Sequence, residues 1–373
     1  MVPDGWSHGQ VQDFLVLQRG FDLTQKNALP GKVPVYSSSG LSYFHSEAKV
    51  KGPGIVTGRK GSVGPVYFIN EDFWPHDTTL WVKDFKGNDI HYIEYFLRFL
   101  RLEKFDEASS VPTLNRNNVH GVKCIFPPLI EQTRIAQFLS TWDQAITATE
   151  RLLENSQQRK KGLMQQLLTG KKRLPGFEGE WSYQEIGKFL IESRIQSDSN
   201  DPSKRLTVRL NLKGIEQREV RGTEAKGSTA HYVRLAGQFI YGKQNIHKAA
   251  FGLIPEKFDK FETSQDLPAF DFKEGVDSHW FLYFCSQEWF YTDLEKKMTG
   301  TGSKRLNPKA FLKVKLPTPS FDEQRAIAEV LDLASRDIDA IKTKLELLQN
   351  EKKALMQQLL TGKRRVNVET EAA

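Results

Sequence analysis

Two short stretches of this chain set cations and hydroxyl side chains among glycines: Gly58-Arg59-Lys60-Gly61-Ser62-Val63-Gly64 and Gly300-Thr301-Gly302-Ser303-Lys304-Arg305. Glycine lets backbone come close to a ligand and the cation supplies counter-charge, so Arg59, Lys60 and Ser62 form a turn suited to touching phosphate. Bond-making chemistry is harder to find. There is no GxxxxGK(S/T) loop for a nucleotide, and Gly300-Thr301-Gly302 lacks the third glycine of a dinucleotide turn. The eight histidines have no HExxH or CxxC companions. Cys124 and Cys285, the two cysteines, lie far apart without metal-ligand spacing. Phe126-Pro127-Pro128-Leu129 is a superficial look-alike of the Asp/Asn/Ser-Pro-Pro-aromatic site of amino-methyltransferases. Asp293-Leu294-Glu295-Lys296-Lys297 contains an ExK triplet of the kind nucleases use, but on a helix face it reads as charged surface. The sequence does not read as that of an enzyme.

Bulk properties agree with a binding role. The 373 residues leave room for two or three domains, with 39% hydrophobic and 27% charged residues and a mean hydropathy of −0.50. No apolar run approaches the roughly 20 residues of a membrane span. Met1-Val2-Pro3-Asp4-Gly5-Trp6 has neither the basic nor the apolar region of a secretory signal, so a reducing cytoplasm is expected. A net charge of +7 and a pI near 9.1 are compatible with nucleic acid as partner, as they are with many basic proteins that bind none.

The elements that must carry these turns are written twice. Glu131-Gln132…Met164-Gln165-Gln166-Leu167-Leu168-Thr169-Gly170-Lys171 recurs 192 residues later as Glu323-Gln324…Met356-Gln357-Gln358-Leu359-Leu360-Thr361-Gly362-Lys363. The same offset pairs Leu114-Asn115 with Leu306-Asn307, Val122-Lys123 with Val314-Lys315, and Pro127 with Pro319. In-register repetition of that length means a duplicated domain plus connector. Within it Ile135, Leu139, Trp142, Ile146, Thr149, Leu153, Ser156, Lys160, Leu163 and Leu167 step by four and three, an a/d seam. Ile327, Leu331, Ala334, Ile338, Ile341, Leu345, Leu348, Lys352, Leu355 and Leu359 repeat it. Such helices could form a core bundle or an oligomerisation coil, but two matched seams in one chain favour an intramolecular coiled-coil pair. Ser320-Phe321-Asp322-Glu323 offers a capping box, and Gly170 and Gly362 sit where a glycine would end each helix. From Glu131 to Thr169 the rod would measure about 58 Å.

Residues 6–126 and 181–318 have another texture, rich in Gly, Pro, aromatics and β-branched residues. Val63 to Ile69 and Phe239-Ile240-Tyr241 read as strands, His91 to Leu102 and Ser278 to Leu294 as helices. Trp6-Ser7…Phe14-Leu15 and Trp181-Ser182…Phe189-Leu190 open the two globules alike at an offset of 175. Trp74 and Trp280 read as core. The order is globule (1–126), helix (127–170), a hinge around Leu174-Pro175-Gly176-Phe177 (171–180), globule (181–318), helix (319–362) and a polar tail (363–373).

Pro112-Thr113-Leu114-Asn115-Arg116 leading to Pro127-Pro128…Glu131-Gln132, and Gly302-Ser303-Lys304-Arg305-Leu306-Asn307-Pro308 leading to Pro319…Glu323-Gln324, together with the two MQQLLTGK helix ends, resemble the DNA-specificity subunit of type I restriction–modification systems. The resemblance extends over essentially the whole chain. It also takes in Gly58 to Gly64 and Tyr241-Gly242-Lys243-Gln244-Asn245…Ala250-Phe251-Gly252-Leu253-Ile254-Pro255, which are similar to the family's target-recognition segments. It implies an α+β fold: two globular α/β target-recognition domains joined by two long antiparallel coiled-coil helices, with a pseudo-twofold internal repeat. Each globule would read one half of a split, asymmetric site in double-stranded DNA. The helices would serve as spacer and dock for two methyltransferase subunits, with restriction/translocase subunits as further partners. S-adenosylmethionine, ATP and Mg would belong to those partners, leaving this chain without cofactor or metal. Domains reading major grooves on one face of B-DNA must sit about 34–36 Å apart or a multiple of that, a spacing such a rod is long enough to hold.

Under this resemblance the DNA-contacting residues in the first globule are Arg59, Lys60 and Ser62, with Thr113, Asn115 and Arg116 in the turn before the long helix. In the second they are Lys243, Gln244, Asn245 and Lys248, with Thr301, Ser303, Lys304 and Arg305. Bidentate donors would address base edges and cations phosphates. Asn115 and Asn307 occupy equivalent positions in domains that should read different bases, which favours turn capping for both. The alternative to DNA recognition is a coiled-coil scaffold binding protein or RNA.

Overall fold

The computed structural model describes residues 2–106, 111–199, 201–220 and 230–366. The chain divides into two compact units, one of residues 1–150 with 343–373 and the other of residues 151–342. Each unit contains one globule and part of both long helices, Leu129–Leu167 and Phe321–Leu359, each of 39 residues. Every predicted a/d position on both helices is buried or half-buried, while most of the residues between are exposed. Both helices end as their glycines require, with φ of +70° at Gly170 and +67° at Gly362.

In the first unit a four-stranded antiparallel sheet runs in the order Val16–Arg19, Thr79–Asp84, Gly54–Gly58, Val66–Ile69. A smaller sheet orders Gly40–His45, Val33–Ser37 and Trp74–Pro75. The strand predicted from Val63 begins only at Val66, because Gly64, at φ +114°, still belongs to the turn. Helix Ile90–Leu100 starts on Asp89, whose carboxylate accepts the Tyr92 N–H. It packs Tyr92 and Phe96 against Phe126, with Leu359 at the end of the second long helix and Leu360 just after it in the same core. Each leucine buried so fully contributes about 1.5–3 kcal/mol.

The second unit repeats the sheet order as Leu190–Ser193, Ala269–Phe272, Phe239–Tyr241, Phe251–Leu253. Two separate two-stranded ladders, Leu206–Val208 with Ile215–Gln217 and His231–Arg234 with Phe261–Ser264, lie in the same unit. The helix predicted from Ser278 to Leu294 is broken into Ser278–Cys285 and Glu288–Asp293. At the break Gln287 N–H bonds back to the Phe284 carbonyl. Trp74 and Trp280 are both core residues, 7% and 0% exposed.

The repeated Glu-Gln words tie each globule to its following helix. Gln132 accepts from Asp89 N–H at 2.9 Å and donates to the Pro127 carbonyl; Gln324 does the same with Asp277 at 3.0 Å and Pro319. Glu131, 2% exposed, receives Trp6 Nε1 at 3.0 Å and both Nε and Nη2 of Arg365. Glu323, 1% exposed, receives Trp181 Nε1 at 3.1 Å and both Nε and Nη2 of Arg173. The expected capping box is therefore half made. Ser320 Oγ accepts the Glu323 N–H at 3.3 Å, but the Glu323 carboxylate is committed to Arg173 instead of returning to the cap.

Within each unit the helices run antiparallel. Lys352 Nζ bonds Asp143 in the first unit, and Lys160 Nζ bonds Ser335 Oγ at 2.7 Å in the second. Each lysine also lies over a tyrosine ring, Tyr95 and Tyr283 respectively. These are the two seam lysines of the sequence repeat.

Candidate nucleic-acid interface

The first globule brings its two predicted segments together. As the chain leaves strand Gly54–Gly58, Lys60 bridges to Thr113, Leu114 N–H bonds the Arg59 carbonyl at 2.7 Å, and Gly61 N–H bonds the Pro112 carbonyl at 2.9 Å. On the other side Arg59 and Lys60 donate their N–H groups to the Thr78 carbonyl. Gly58 permits this crossing: a Cβ there would lie 1.7 Å from the Ser62 carbonyl oxygen. Lys60, Ser62, Asn115 and Arg116 are exposed and Arg59 and Thr113 half-buried.

Asn115 and Arg116 begin the short helix Arg116–His120. The Asn115 side chain accepts the Asn117 N–H at 3.0 Å, the capping that its repeated position favoured. The far end is held by His120, whose Nε2 accepts the Leu17 N–H at 2.9 Å; burial, then Arg116, lowers its pKa and keeps it neutral for that role. Arg19, Arg59, Leu80, Thr113, Asn115 and Arg116 line an open recess of about 560 Å³. Arg19 was not among the predicted residues.

The second globule makes the same crossing. Leu306 N–H bonds the Lys243 carbonyl at 2.8 Å, the counterpart of the Leu114–Arg59 bond. Lys243 N–H in turn bonds the Asp266 carbonyl. Thr301 and Ser303 are exposed in a hairpin closed by the paired bonds of Thr299 and Arg305. Arg305 Nη1 bonds Asp266 Oδ1 at 3.0 Å, and Gln244, with its amide oxygen toward the guanidinium, accepts Nη2 at 2.9 Å. Lys304 Nζ lies 3.3 Å from Glu295, so the ExK glutamate is a partner in a surface ion pair. Asn307 caps the helix Pro308–Leu312 by accepting Lys309 N–H.

Asn245 and Lys248 are occupied through their backbone. Asn245 opens the short helical turn Ile246–Lys248, and the Lys248 carbonyl accepts Asn211 N–H, leaving the Lys248 side chain exposed. In the first globule Arg59 and Lys60 are thus brought against Thr113 and Leu114, and in the second Lys243 and Gln244 against Leu306 and Arg305, while the backbone bonds of Asn245 and Lys248 lead to the turn Ile246–Lys248 and to Asn211 and, among the described residues, not to the Thr301–Lys304 turn. Among the described residues one group of potential metal ligands stands in the first globule, Asp22, His76 and Asp77, and Asp77 is already paired with Arg19.

Residues 3–155 and 229–350 match the family model described as the type I restriction modification DNA specificity domain. The MjaVIII specificity subunit of a type I restriction enzyme from Methanocaldococcus jannaschii is 23% identical over 301 residues, covering 74% of this chain and 71% of that protein. The putative MjaX specificity subunit of the same organism is 24% identical over 324 residues, covering 81% and 75%. Among solved structures, the S subunit of a type I restriction–modification system from M. genitalium aligns with a TM-score of 0.64 at 15% identity, covering 95% of this chain and 96% of that one. The HsdS subunit from Thermoanaerobacter tengcongensis aligns with a TM-score of 0.51 at 14% identity, covering 97% and 98%.

Proposed function

Because this chain belongs to the type I restriction–modification DNA specificity family, we propose that its two globules each read one half of a bipartite, asymmetric target in duplex DNA. The chain is the recognition member of its system and works with the other restriction–modification subunits. In our reading those are two methyltransferase subunits, with restriction subunits recruited to the same site. S-adenosylmethionine, ATP and Mg then serve those partners, and the assembly works in the cytoplasm.

One observation carries the reading. In both units a cation follows a glycine at the end of a strand, and its carbonyl receives the N–H of the leucine that the repeat places before the long helix. The recurring frame presents different side chains: Lys60 and Arg116 in one unit, Gln244 and Arg305 in the other. Phosphate contacts orient a protein on duplex DNA and base-edge contacts select the sequence. A shared frame with diverged polar side chains suits two half-sites of different sequence.

The test is methylated-site sequencing in cells carrying the chain with its methyltransferase, alongside salt-dependent duplex binding by the purified chain. A split motif methylated only when this chain is present supports the proposal. Methylation at the same sites without it, or no duplex binding at low salt, overturns it.

A further inference from the structure

The two globules share three recess positions that the repeat in the helices does not reveal. In the first, Arg19, Leu80 and Arg59 line the recess. In the second, Arg194, Pro268 and Lys243 line a polar recess of about 80 Å³. Sheet register makes them counterparts. Leu80 is paired with Arg19 on one side and Thr57 on the other. Pro268 follows directly on from the Ser193–Ala269 pairing, and its carbonyl receives Tyr241 N–H. Arg59 and Lys243 are matched by the leucine bonds to their carbonyls. Arg19 and Arg194 are matched again by the offset of 175 that relates Trp6 to Trp181.

Each of these arginines is an exposed side chain steadied by one carboxylate. Arg19 pairs with Asp77 at 2.9 Å and is 56% exposed; Arg194 pairs with Glu192 at 2.8 Å and is 67% exposed. The second recess has a further cation at its base. Arg234, 1% exposed, bonds Thr263 Oγ1 and the carbonyls of Ser193 and Leu267, with no carboxylate in ion-pair contact among the described residues. Burial pulls its pKa down to about 10, so it is still charged at neutral pH. Beside it Ser193 Oγ is buried without a hydrogen-bond partner. Three cations thus face one carboxylate around a space several times the roughly 10–15 Å³ one water needs.

We infer that Arg19 with Arg59, and Arg194 with Lys243, are matched seats for a backbone phosphate of each half-site. The inference rests on the reading that the chain binds duplex DNA, and adds which residues make its sequence-independent contacts. Groups that read bases must differ between globules, because the half-sites differ. A pair of cations kept at one sheet position through that divergence answers to what both half-sites share, the phosphodiester backbone. Arg234 and Ser193 supply fixed charge and an unused hydroxyl behind the second seat.

The test compares Arg19→Gln and Arg194→Gln with the unaltered full chain on two duplexes of equal length, one holding the methylated motif and one unrelated. Each substitution should weaken both duplexes by a similar factor and flatten the salt dependence of log K by about one per contact. Methylated-site sequencing should return the same motif, and Arg19→Lys or Arg194→Lys should restore most of the slope. Asp77→Asn combined with Arg19→Gln should show the same flattening, separating a lost contact from an unmasked carboxylate. A relaxed base at one motif position with an unchanged slope would make these arginines base readers and overturn the inference. So would unchanged binding. Failure of the unaltered chain to bind either duplex would instead remove the proposed function beneath it.

Discussion

Glu323 is 1% exposed and held by Arg173 and Trp181, so Arg173→Ala leaves a buried carboxylate with one of its two side-chain partners. Removing one member of a buried ion pair costs about 3–5 kcal/mol. Arg173 is itself 24% exposed and Trp181 remains, so the lower end, about 3 kcal/mol, applies. Glu323→Gln is milder. It keeps an oxygen for Trp181 and strands no buried charge, since Arg173 retains water and the carbonyls of Glu178 and Gly179. Losing a hydrogen bond to a charged group puts that loss near 1.5 kcal/mol. For a unit of about 190 residues, each kcal/mol moves the melting temperature by about 2–4 °C. Scanning calorimetry of the full chain should therefore show Arg173→Ala lowering one transition by about 6–12 °C, and Glu323→Gln by about half as much. The double variant should fall short of the sum, because the pair can be lost only once. Glu323→Gln costing more than Arg173→Ala, or Arg173→Ala melting with the parent chain, would refute the reasoning that a stranded carboxylate sets the penalty.

Arg116→Ala should degrade one half of the methylated motif and Arg305→Ala the other, read by methylome sequencing; loss of the same half by both would end the division of labour. The purified chain given S-adenosylmethionine and duplex should neither methylate nor cut it, which a methyl-transfer assay and a gel will show. Burial pushes the Cys124 thiol and the Tyr283 phenol up to about 12, from ordinary values of 9.0 and 10.0. The unfolded chain therefore releases those protons first, and stability should be intact below pH 9 and fall as pH rises toward 12. Cys124→Ala should make that fall shallower in urea titrations at pH 8 and 10. Lys160→Met should leave thermal stability unchanged or higher, because burial lowers the lysine's pKa and its partner Ser335 is neutral. Lys352→Met should lower it, because Asp143 loses its ion pair.

The long helices were legible to the residue in their seams, because a 3.5-residue repeat has to place Ile135, Leu139 and Leu167 on one buried stripe. The glycine stops and asparagine caps were legible too, since each is a local backbone requirement. The partners of Glu131 and Glu323 were not. The near-identical words of the repeat end at Lys171 and Lys363, two residues short of Arg173 and Arg365, which keep the same offset of 192. Arg19 and Arg194 could have been found from the offset of 175, but their meeting with Arg59 and Lys243 depends on strand order, which crosses the sequence and leaves no period in it. Arg234 carries no sequence signal; its burial comes from two strands, at Ser193 and Thr263, and the turn at Leu267 closing over a guanidinium.

The two arginine–glutamate clasps have a topological consequence. In the second unit, residues 170–181 form a continuous stretch of chain: Gly170 packs on Trp181 and Arg173 grips Glu323. In the first unit the same clasp is built from residues far apart in the chain: Gly362 lies against Pro3 and Trp6, and Arg365 grips Glu131 and the Asp4 carbonyl. The peptide backbone runs straight through one clasp, whereas the other joins distant segments through the Arg365–Glu131 pair and the bond to the Asp4 carbonyl. A chain joined from residue 366 to residue 2 by a short linker and opened between Pro175 and Gly176 is expected to keep both the Arg173–Glu323 and the Arg365–Glu131 pair, since neither pair is carried by the peptide bond that is opened.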